Sequence, residues 1–215
     1  MLSYGGNLLA ALGIEISGGI VTRCNWRARM PVVVTGLRLP DSIPVLETTQ
    51  LLLTAPIGDD RQTLFEIYNE ADVLAFLNRG EKLAIDQLDV ALQDVPKEAA
   101  RRERYTFAMR TRSPGNVVGI VQLEHIDLKQ RAASISVFLG APYRRNHYAK
   151  EAVKRVIEWS FEIGLDHVYA AIIPSNRPSA ALMRSLGMTD DGLQMHTDLS
   201  GNPLALRIFR TSRAS

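Results

Sequence analysis

The sequence contains a single cysteine, Cys24, among its 215 residues. One cysteine cannot form an intramolecular disulfide or a cysteine-rich zinc site. The four histidines are scattered and show no spacing typical of metal ligands. We therefore expect no metal. A low cysteine content also fits a reducing compartment.

Long apolar runs are missing as well. No stretch approaches the ~20 apolar residues that a membrane-spanning helix needs. The apolar N-terminus lacks a basic leading segment and is interrupted by Glu15, so we do not expect a signal peptide. The resulting expectation is a cytoplasmic protein without a membrane partner.

Charge of either sign is nearly balanced, with 25 basic and 23 acidic residues and a formal net charge of +2. This balance gives no reason to expect a nucleic-acid partner, and any role for positive charge must be local. The nucleotide-binding patterns G-x-x-x-x-G-K-[ST] and G-x-G-x-x-G do not occur. The composition, 46% hydrophobic and 22% charged, is that of an ordinary globular protein.

The chain divides into an N-terminal extension, residues 1–45, and a domain, residues 46–215. The extension is rich in Gly and Val and ends in the proline-punctuated connector LRLPDSIP. Three interpretations stay open for it: an extra hairpin, a poorly ordered segment, or a gene-model artefact with the natural start at Met30.

The domain shows the hydrophobic patterns of an α+β fold. A strand at 48–56 is followed by helices near 59–68, 71–77 and 83–92, and then by an antiparallel meander of three strands. The run SISVFL, a helix over 147–163 and the run HVYAAII form a strand–helix–strand unit, which predicts a right-handed parallel crossover. A short helix and a terminal hairpin complete the pattern. A ligand is expected at the carboxyl ends of the two parallel strands.

The turn GAPYRRNHYAKEA, residues 140–152, lies where the first of these strands leads into the helix. The first backbone N–H groups of a helix have no partner within it, and together with the helix dipole they attract anions. Arg144, Arg145 and Lys150 add positive charge. Taken alone, the segment also fits an ordinary solvated basic turn.

Three segments in register resemble the GNAT (Gcn5-related N-acetyltransferase) superfamily, and in particular its RimJ/RimL branch, which acetylates N-terminal amines of ribosomal proteins. LETTQLLL is similar to the opening strand L-x-T-x-R-L-x-L of that branch. ISVFLGAPYRRNHYAKEA is similar to the acetyl-CoA segment, and NRPSAALMRSLGM to N-x-x-S-x-x-L-x-x-x-x-G-F. The resemblance covers about 45–210 and implies a mixed, mostly antiparallel twisted sheet with helices on both faces.

The resemblance also implies an acetyl-CoA site. Backbone groups of Val137 and Leu139 would bind the pantetheine arm and polarise the thioester, where the two parallel strands splay apart. Asn176 would reach the pantetheine amides, although it also fits a helix N-cap. The diphosphate would be held by the turn and the helix start: Arg144, Arg145, Asn146, His147, Tyr148, Ala149 and Lys150.

The sequence departs from the family pattern at two glycine positions, occupied by Arg145 and His147. Glycine serves there because the backbone approaches phosphate closely or adopts positive φ. A histidine ring either donates to a phosphate in a wider loop or weakens coenzyme binding. We expect binding to be retained, because the surrounding residues supply several cations.

The resemblance does not determine which residues act as the acid and the base of the reaction. Met183 stands where many relatives carry the tyrosine that protonates the departing thiolate. Ser179 is therefore the expected proton donor, unless its hydroxyl only satisfies the helix start, and Tyr148 and Tyr169 are further candidates behind it. Ser134 stands where relatives often carry Glu, which leaves Glu124 or His125 as the base. Strand alternation allows only one of them to face the cleft. His125 fits a surface position equally well.

Aromatic residues of the early helices, Tyr68 and Phe76, would line the acceptor side of such a fold or simply belong to its core. The function implied is acetyl-CoA-dependent transfer of an acetyl group to a primary amine, by direct attack on the thioester. The acceptor stays open between a protein N-terminus, a small-molecule amine and an aminoglycoside-like antibiotic. The alternative is an inactive acyl-CoA-binding regulatory domain of the same fold. A homodimer also stays open.

Overall fold

A computed structural model describes residues 36–76, 82–197 and 202–214. In these residues eight strands form one sheet, in the order β1-β2-β3-β4-β5-β6-β8-β7. The strands are β1 (Leu46–Glu47), β2 (Leu51–Thr54), β3 (Arg104–Thr111), β4 (Val117–Asp127), β5 (Ala132–Leu139), β6 (His167–Ile172), β7 (Thr189–Thr197) and β8 (Pro203–Ser212).

The α-helices of the described residues are α1 (Arg61–Tyr68), α2 (Ala71–Phe76), α3 (Ile85–Ala100), α4 (Tyr148–Glu162) and α5 (Arg177–Ser185). Short 3-10 turns precede α1 at Gly58–Asp60 and follow β5 at Ala141–Tyr143. Every neighbouring pair of strands is antiparallel except β5 and β6, which are parallel and joined through α4. The predicted α+β fold with a central parallel unit is confirmed.

The helices cover both faces of the sheet, as the resemblance implies. On one face, Trp159 of α4 packs edge-on against Tyr105 and Phe107 of β3, at ring distances of 5.0 and 5.5 Å. On the other face, Leu64 of α1 and Leu88 of α3 belong to a cluster over β3, β4 and β5. Because successive side chains of a strand point to opposite faces, the side chains on both faces of the central strands are buried under helices.

Residues 36–45, the last part of the predicted extension, contact the domain. Leu39 is buried in the core on the α4 face. The Arg38 N–H donates to the Ile163 carbonyl at 2.8 Å, and the Tyr105 hydroxyl donates to the Pro40 carbonyl at 2.5 Å. Residues 1–35 lie outside the described residues.

Helix α3 differs from its prediction in length, because it continues from the predicted end near 92 to Ala100. Its buried residues Ala91, Val95 and Ala99 follow one another at a spacing of four, so the apolar stripe that packs on the sheet continues past Pro96. This extra length brings Glu98 over the start of β3. Among the described residues, no helix has both the length and the apolar character needed to cross a membrane.

Candidate active site

Strands β5 and β6 pair over only three positions and then separate. Ala132, Ala133 and Ser134 face His167, Val168 and Tyr169, and no further pair follows among the described residues. The Gly140 N–H donates to the Val118 carbonyl, so even-numbered residues of β5 bond to β4 and odd-numbered ones turn their backbone groups toward the gap. Val137 and Leu139 are thus on the open edge. The predicted splaying of the two strands is confirmed.

The turn after β5 leads into α4, whose first hydrogen bond runs from the Glu151 N–H to the His147 carbonyl. Within the described part of the chain, the backbone N–H groups of residues 145–150 donate no hydrogen bond. Because such groups at a helix start carry partial positive charge, they form an anion-binding surface. This surface lies at the carboxyl end of β5, beside the open edge.

The two residues that replace glycine keep a glycine-like backbone. Arg145 has a φ of 65° and His147 a φ of 62°, both in the left-handed region. Left-handed residues in a turn can direct neighbouring backbone N–H groups to one side, as in anion-binding nests. The side chains of both residues are exposed, so the histidine ring does not fill the turn. The turn conformation that glycine would favour is therefore kept, at the conformational cost of non-glycine residues.

We predict that His147→Gly changes the free energy of unfolding by less than about 1 kcal/mol, because relief of the left-handed strain offsets the added chain entropy. His147→Val should instead lower it by about 1–2 kcal/mol, since a β-branched residue tolerates positive φ poorly. Urea denaturation of the two variants measures the difference. Equal stability of both variants would show that position 147 does not need positive φ.

Arg144 lies next to this surface but is bound elsewhere. Its guanidinium forms ion pairs with Glu70, which lies between α1 and α2, and with Asp72 at the start of α2. Its Nε donates to the Leu139 carbonyl at 3.2 Å. The ion pair holds the pKa of Asp72 below its ordinary value. The prediction gave Arg144 a mobile charge for the diphosphate, whereas this geometry makes it an anchor between the turn and α2. Arg145 and Lys150 are exposed and form no ion pair within the described residues.

This contrast gives a paired prediction. Arg145→Ala should weaken acetyl-CoA binding about three- to tenfold without changing the melting temperature, because it removes an exposed cation. Arg144→Ala should lower the melting temperature, since the turn loses its ion pairs with α2. Calorimetry and thermal unfolding measure the two effects. A stable Arg144→Ala variant with the larger loss of affinity would reverse the two assignments.

Helix α5 begins at the carboxyl end of β6, so its N-terminus faces the same opening. The Oδ1 of Asn176 accepts a hydrogen bond from the Ser179 N–H at 3.1 Å, which is the N-cap arrangement. Both residues are half-buried. The Ser179 hydroxyl has no hydrogen-bond partner among the residues described, and so it is not used to cap the helix.

Glu124 and His125 lie near the end of β4, where the β4–β5 register shifts before Asp127. Glu124 is buried, with its Oε2 at 3.2 Å from Nη2 of Arg104. His125 has a φ of 52°, and its two ring nitrogens are buried without a hydrogen-bond partner. Burial lowers the pKa of His125, and the charge of Glu124 only partly opposes this. The ring is therefore neutral at pH 7 and is not the exposed ring of the alternative interpretation.

Sequence reasoning missed two further charged residues in this region, Glu98 and Arg104. Nη1 of Arg104 lies 3.4 Å from Oε1 of Glu98, and both residues are 3% exposed. Tyr68, which is 1% exposed, packs its ring on Phe138 at 5.8 Å and leaves its hydroxyl without a hydrogen bond. The Phe76 side chain lies outside the described residues. Arginine at the start of a strand and glutamate at the end of a helix are common on protein surfaces. Nothing in the sequence therefore indicated that Glu98 and Arg104 form a buried ion pair.

Three acidic residues near the early helices form ion pairs with arginines. Asp60 pairs with Arg110, and Glu70 and Asp72 pair with Arg144. In the described ranges, no group of three or more His, Cys, Asp or Glu side chains is placed to hold a metal ion.

The residues present fit acetyl-CoA. Unpaired N–H groups at the start of α4 suit a diphosphate. The open edge of β5 from Ser134 to Leu139 is about 17 Å long at the usual rise per residue, which is comparable to an extended pantetheine arm. Backbone groups of Val137 and Leu139 face this edge and can pair with amides, as a further strand would.

Comparisons with known proteins identify the family of the chain. Residues 50–189 match the sequence profile of the acetyltransferase (GNAT) domain. The chain is 21% identical to an uncharacterized N-acetyltransferase of Bacillus subtilis, YoaA, over 77% of this chain and 95% of that protein.

Two solved structures from Vibrio cholerae share the fold. A candidate ribosomal-protein-serine acetyltransferase has a TM-score of 0.69 and 23% identity, over 79% of this chain and 98% of that one. A spermidine N-acetyltransferase in complex with CoA and spermine has a TM-score of 0.66 and 17% identity, over 77% and 96%. The predicted GNAT relationship and enzyme class are confirmed.

Proposed function

Since the chain belongs to the GNAT acetyltransferase family, we propose that it transfers the acetyl group of acetyl-CoA to a primary amine in the cytoplasm. The observation that carries the proposal is the position of the unpaired N–H groups of residues 145–150, at the mouth of the gap between β5 and β6. The spermidine N-acetyltransferase with the same fold was solved with CoA, which supports the same ligand in this chain.

The diphosphate would be bound by the backbone N–H groups at the start of α4, with Arg145 and Lys150 as exposed counter-charges. Asn146, His147, Tyr148 and Ala149 contribute backbone rather than side-chain contacts in this proposal. Val137 and Leu139 would orient the pantetheine arm along the open edge. Asn176 keeps its cap role through Oδ1 and would offer its Nδ2 to a pantetheine amide.

When bound, acetyl-CoA supplies a thioester carbonyl that a neutral amine can attack. Backbone N–H groups on the β5 edge would stabilise the negative charge that develops on its oxygen, usually the largest catalytic contribution. The Ser179 hydroxyl, free of other hydrogen bonds, would protonate the sulfur. We place the proton acceptor at the end of β4, where Glu124 and His125 lie.

For the acceptor we propose a protein N-terminus or a small-molecule amine. The ribosomal-protein branch is supported by one structural neighbour at 23% identity. The pairing of Asp60, Glu70 and Asp72 with two arginines reduces the negative charge that these residues offer to a polycation.

The test is an assay of thiol release from acetyl-CoA against three acceptors: a peptide beginning with serine, spermine and an aminoglycoside. We expect an acetylated amine, identified by mass spectrometry, together with free CoA. Binding of acetyl-CoA without turnover of any acceptor would favour the inactive acyl-CoA-binding alternative. Failure to bind acetyl-CoA would overturn the proposal.

A further inference from the structure

Two buried carboxylates share one guanidinium on the α3 side of the sheet. Arg104 lies 3.4 Å from Glu98 through Nη1 and 3.2 Å from Glu124 through Nη2. Exposure is 3% for Glu98 and Arg104 and 4% for Glu124. With all three ionised, the Glu98–Arg104–Glu124 cluster carries a formal charge of minus one. A buried charge of this kind needs either a proton or a cation to compensate it.

Unpaired polar atoms around the cluster show that its bonding is incomplete. The Tyr68 hydroxyl, Glu98 Oε2 and Arg104 Nε are buried without hydrogen bonds. Burial raises the pKa of Tyr68 well above its ordinary value, and the charge of Arg104 opposes this increase while the charges of Glu124 and Glu98 add to it. Buried polar atoms normally have partners, and each unpaired one costs about 1–3 kcal/mol. Each of these atoms can take part in a further hydrogen bond, to a water or to a group that carries a proton.

A proton meets this need near neutral pH. Burial raises the pKa of Glu98 to about 7, with further upward contributions from Asp94 and Glu124 that oppose the downward effects of Arg104 and Arg101. His125 stays neutral, because burial lowers its pKa. Neither Tyr68 nor His125 supplies the missing positive charge.

A row of paired residues connects the cluster with the gap between β5 and β6. Arg104 lies opposite Glu124, Glu124 opposite Ser134, and Ser134 opposite Tyr169. Residues that pair across adjacent strands place their side chains on the same face, with Cβ atoms about 5 Å apart. Ser134 and Tyr169 are the last pair before β5 and β6 separate, and both are half-buried. The row of polar side chains therefore runs from the buried guanidinium to the vertex of the gap.

We infer that the Glu98–Arg104–Glu124 cluster accepts the proton that the acceptor ammonium must lose, with Ser134 as the point of entry. This inference rests on the proposed function and assigns to the pair the base that sequence reasoning left between Glu124 and His125. Arg104 lies between the carboxylates of Glu98 and Glu124 and can form an ion pair with whichever one stays charged. The proton is therefore shared by the two carboxylates and is not assigned to one of them. Glu98 does not contact the amine. It is a positioning residue, which acts on the proton through Arg104 and Glu124.

The atoms and charges of the step balance as follows. The ammonium gives one proton to the Ser134 hydroxyl or to a water beside it, which passes a proton to Glu124, and Arg104 turns to Glu98. The neutral nitrogen then forms the C–N bond while the C–S bond breaks and sulfur takes the electron pair. The remaining excess proton on nitrogen goes to sulfur through Ser179.

Glu98→Gln tests the inference, because it leaves Arg104 to Glu124 alone and makes the cluster neutral without a proton. With acetyl-CoA and the fastest acceptor of the panel, wild-type kcat/KM should rise with pH up to about 7. In Glu98→Gln we expect kcat/KM to fall about a hundredfold, within the range of general base catalysis, and this rise to disappear. Calorimetric affinity for acetyl-CoA should stay unchanged.

Asp94→Asn is the matched control. Asp94 is a buried acid one turn before Glu98 on the same helix, and it pairs with Lys97 rather than with Arg104. Its kcat/KM should stay within about twofold of wild type, with the rise moved slightly to lower pH, because the Asp94 charge raises the pKa of Glu98. Ser134→Ala should lower kcat/KM about tenfold by removing the entry point.

Infrared titration of the protein without ligands separates this inference from the proposed function. A buried carboxyl should lose its proton near pH 7 in wild type and Ser134→Ala, but not in Glu98→Gln. Absence of that band in wild type, or an unchanged pH profile in Glu98→Gln, overturns the inference and leaves the acetyltransferase proposal standing. A chain that shows the band and binds acetyl-CoA but acetylates no amine overturns both.

Discussion

Arg104→Met is expected to lower the free energy of unfolding by about 3–5 kcal/mol, the range observed when one partner of a buried ion pair is removed. The substitution leaves Glu98 and Glu124 buried without their counter-charge. Urea denaturation at pH 8, above the pKa of about 7 that Glu98 has in the wild type, measures the loss. A loss below about 1 kcal/mol would contradict the burial and pairing described above.

The pH dependence has a defined sign. The pKa of Glu98 is raised from 4.5 to about 7, so the stability associated with its protonated form is complete below pH 4.5 and declines as the pH rises toward 7. In Arg104→Met the destabilisation should be smaller at pH 5 than at pH 8, because protonation removes the uncompensated charge. Denaturation curves at the two pH values measure this directly.

Two variants control for the loss of an arginine side chain. Arg110→Met removes an arginine from the same strand, where it pairs with Asp60, whose carboxylate also accepts the Ile57 N–H at 2.8 Å. Its effect should be smaller, because only one carboxylate is left and that one keeps a hydrogen bond. The triple variant Glu98→Gln, Arg104→Met, Glu124→Gln should recover most of the stability, since no buried charge remains.

Ala149→Pro is expected to weaken acetyl-CoA binding about ten- to a hundredfold. Ala149 is the second residue of α4, and its N–H donates no hydrogen bond within the described residues. Proline is tolerated in the first turn of a helix, so the substitution removes one donor while the helix stays intact. A hydrogen bond to a charged group contributes about 1.5–3 kcal/mol, which corresponds to this loss. Isothermal calorimetry measures the affinity.

Asp86→Pro provides the comparison, because Asp86 is the second residue of α3 and its N–H likewise has no partner in the structure as described. It should show a similar change in melting temperature with unchanged affinity for acetyl-CoA. If both prolines reduce affinity equally, the effect comes from the fold and not from the start of α4. If neither reduces it, the diphosphate is not held by these backbone groups.

The strands that carry the site could be predicted closely from the sequence. The predicted meander of three strands became β3, β4 and β5, and the run SISVFL became the carboxyl-terminal part of β5, because alternation and bounding turns are local signals. The turn before α4 was predicted from the order of its residues. What could not be predicted was the direction of the Arg144 side chain, since its partners Glu70 and Asp72 lie more than seventy residues away.

Glu98 was missed for a related reason. The predicted third helix ended near 92, four residues before a proline, a residue that is unfavourable inside a helix. The helix continues because Val95 and Ala99 are buried against the sheet, a tertiary contact that local propensity does not contain. Glu124 was predicted as a base from its strand position alone, but its pairing with Arg104 depends on the register of β3 and β4.

The three residue pairs between β5 and β6 have a mechanical consequence. Within the sheet, they are the whole connection between the block β1–β5 and the block β6–β8 in the described structure. Anything that lies along the open edge of β5 fills the wedge between these two blocks. Occupancy should then appear as slower deuterium uptake at the amides of Val137 and Leu139.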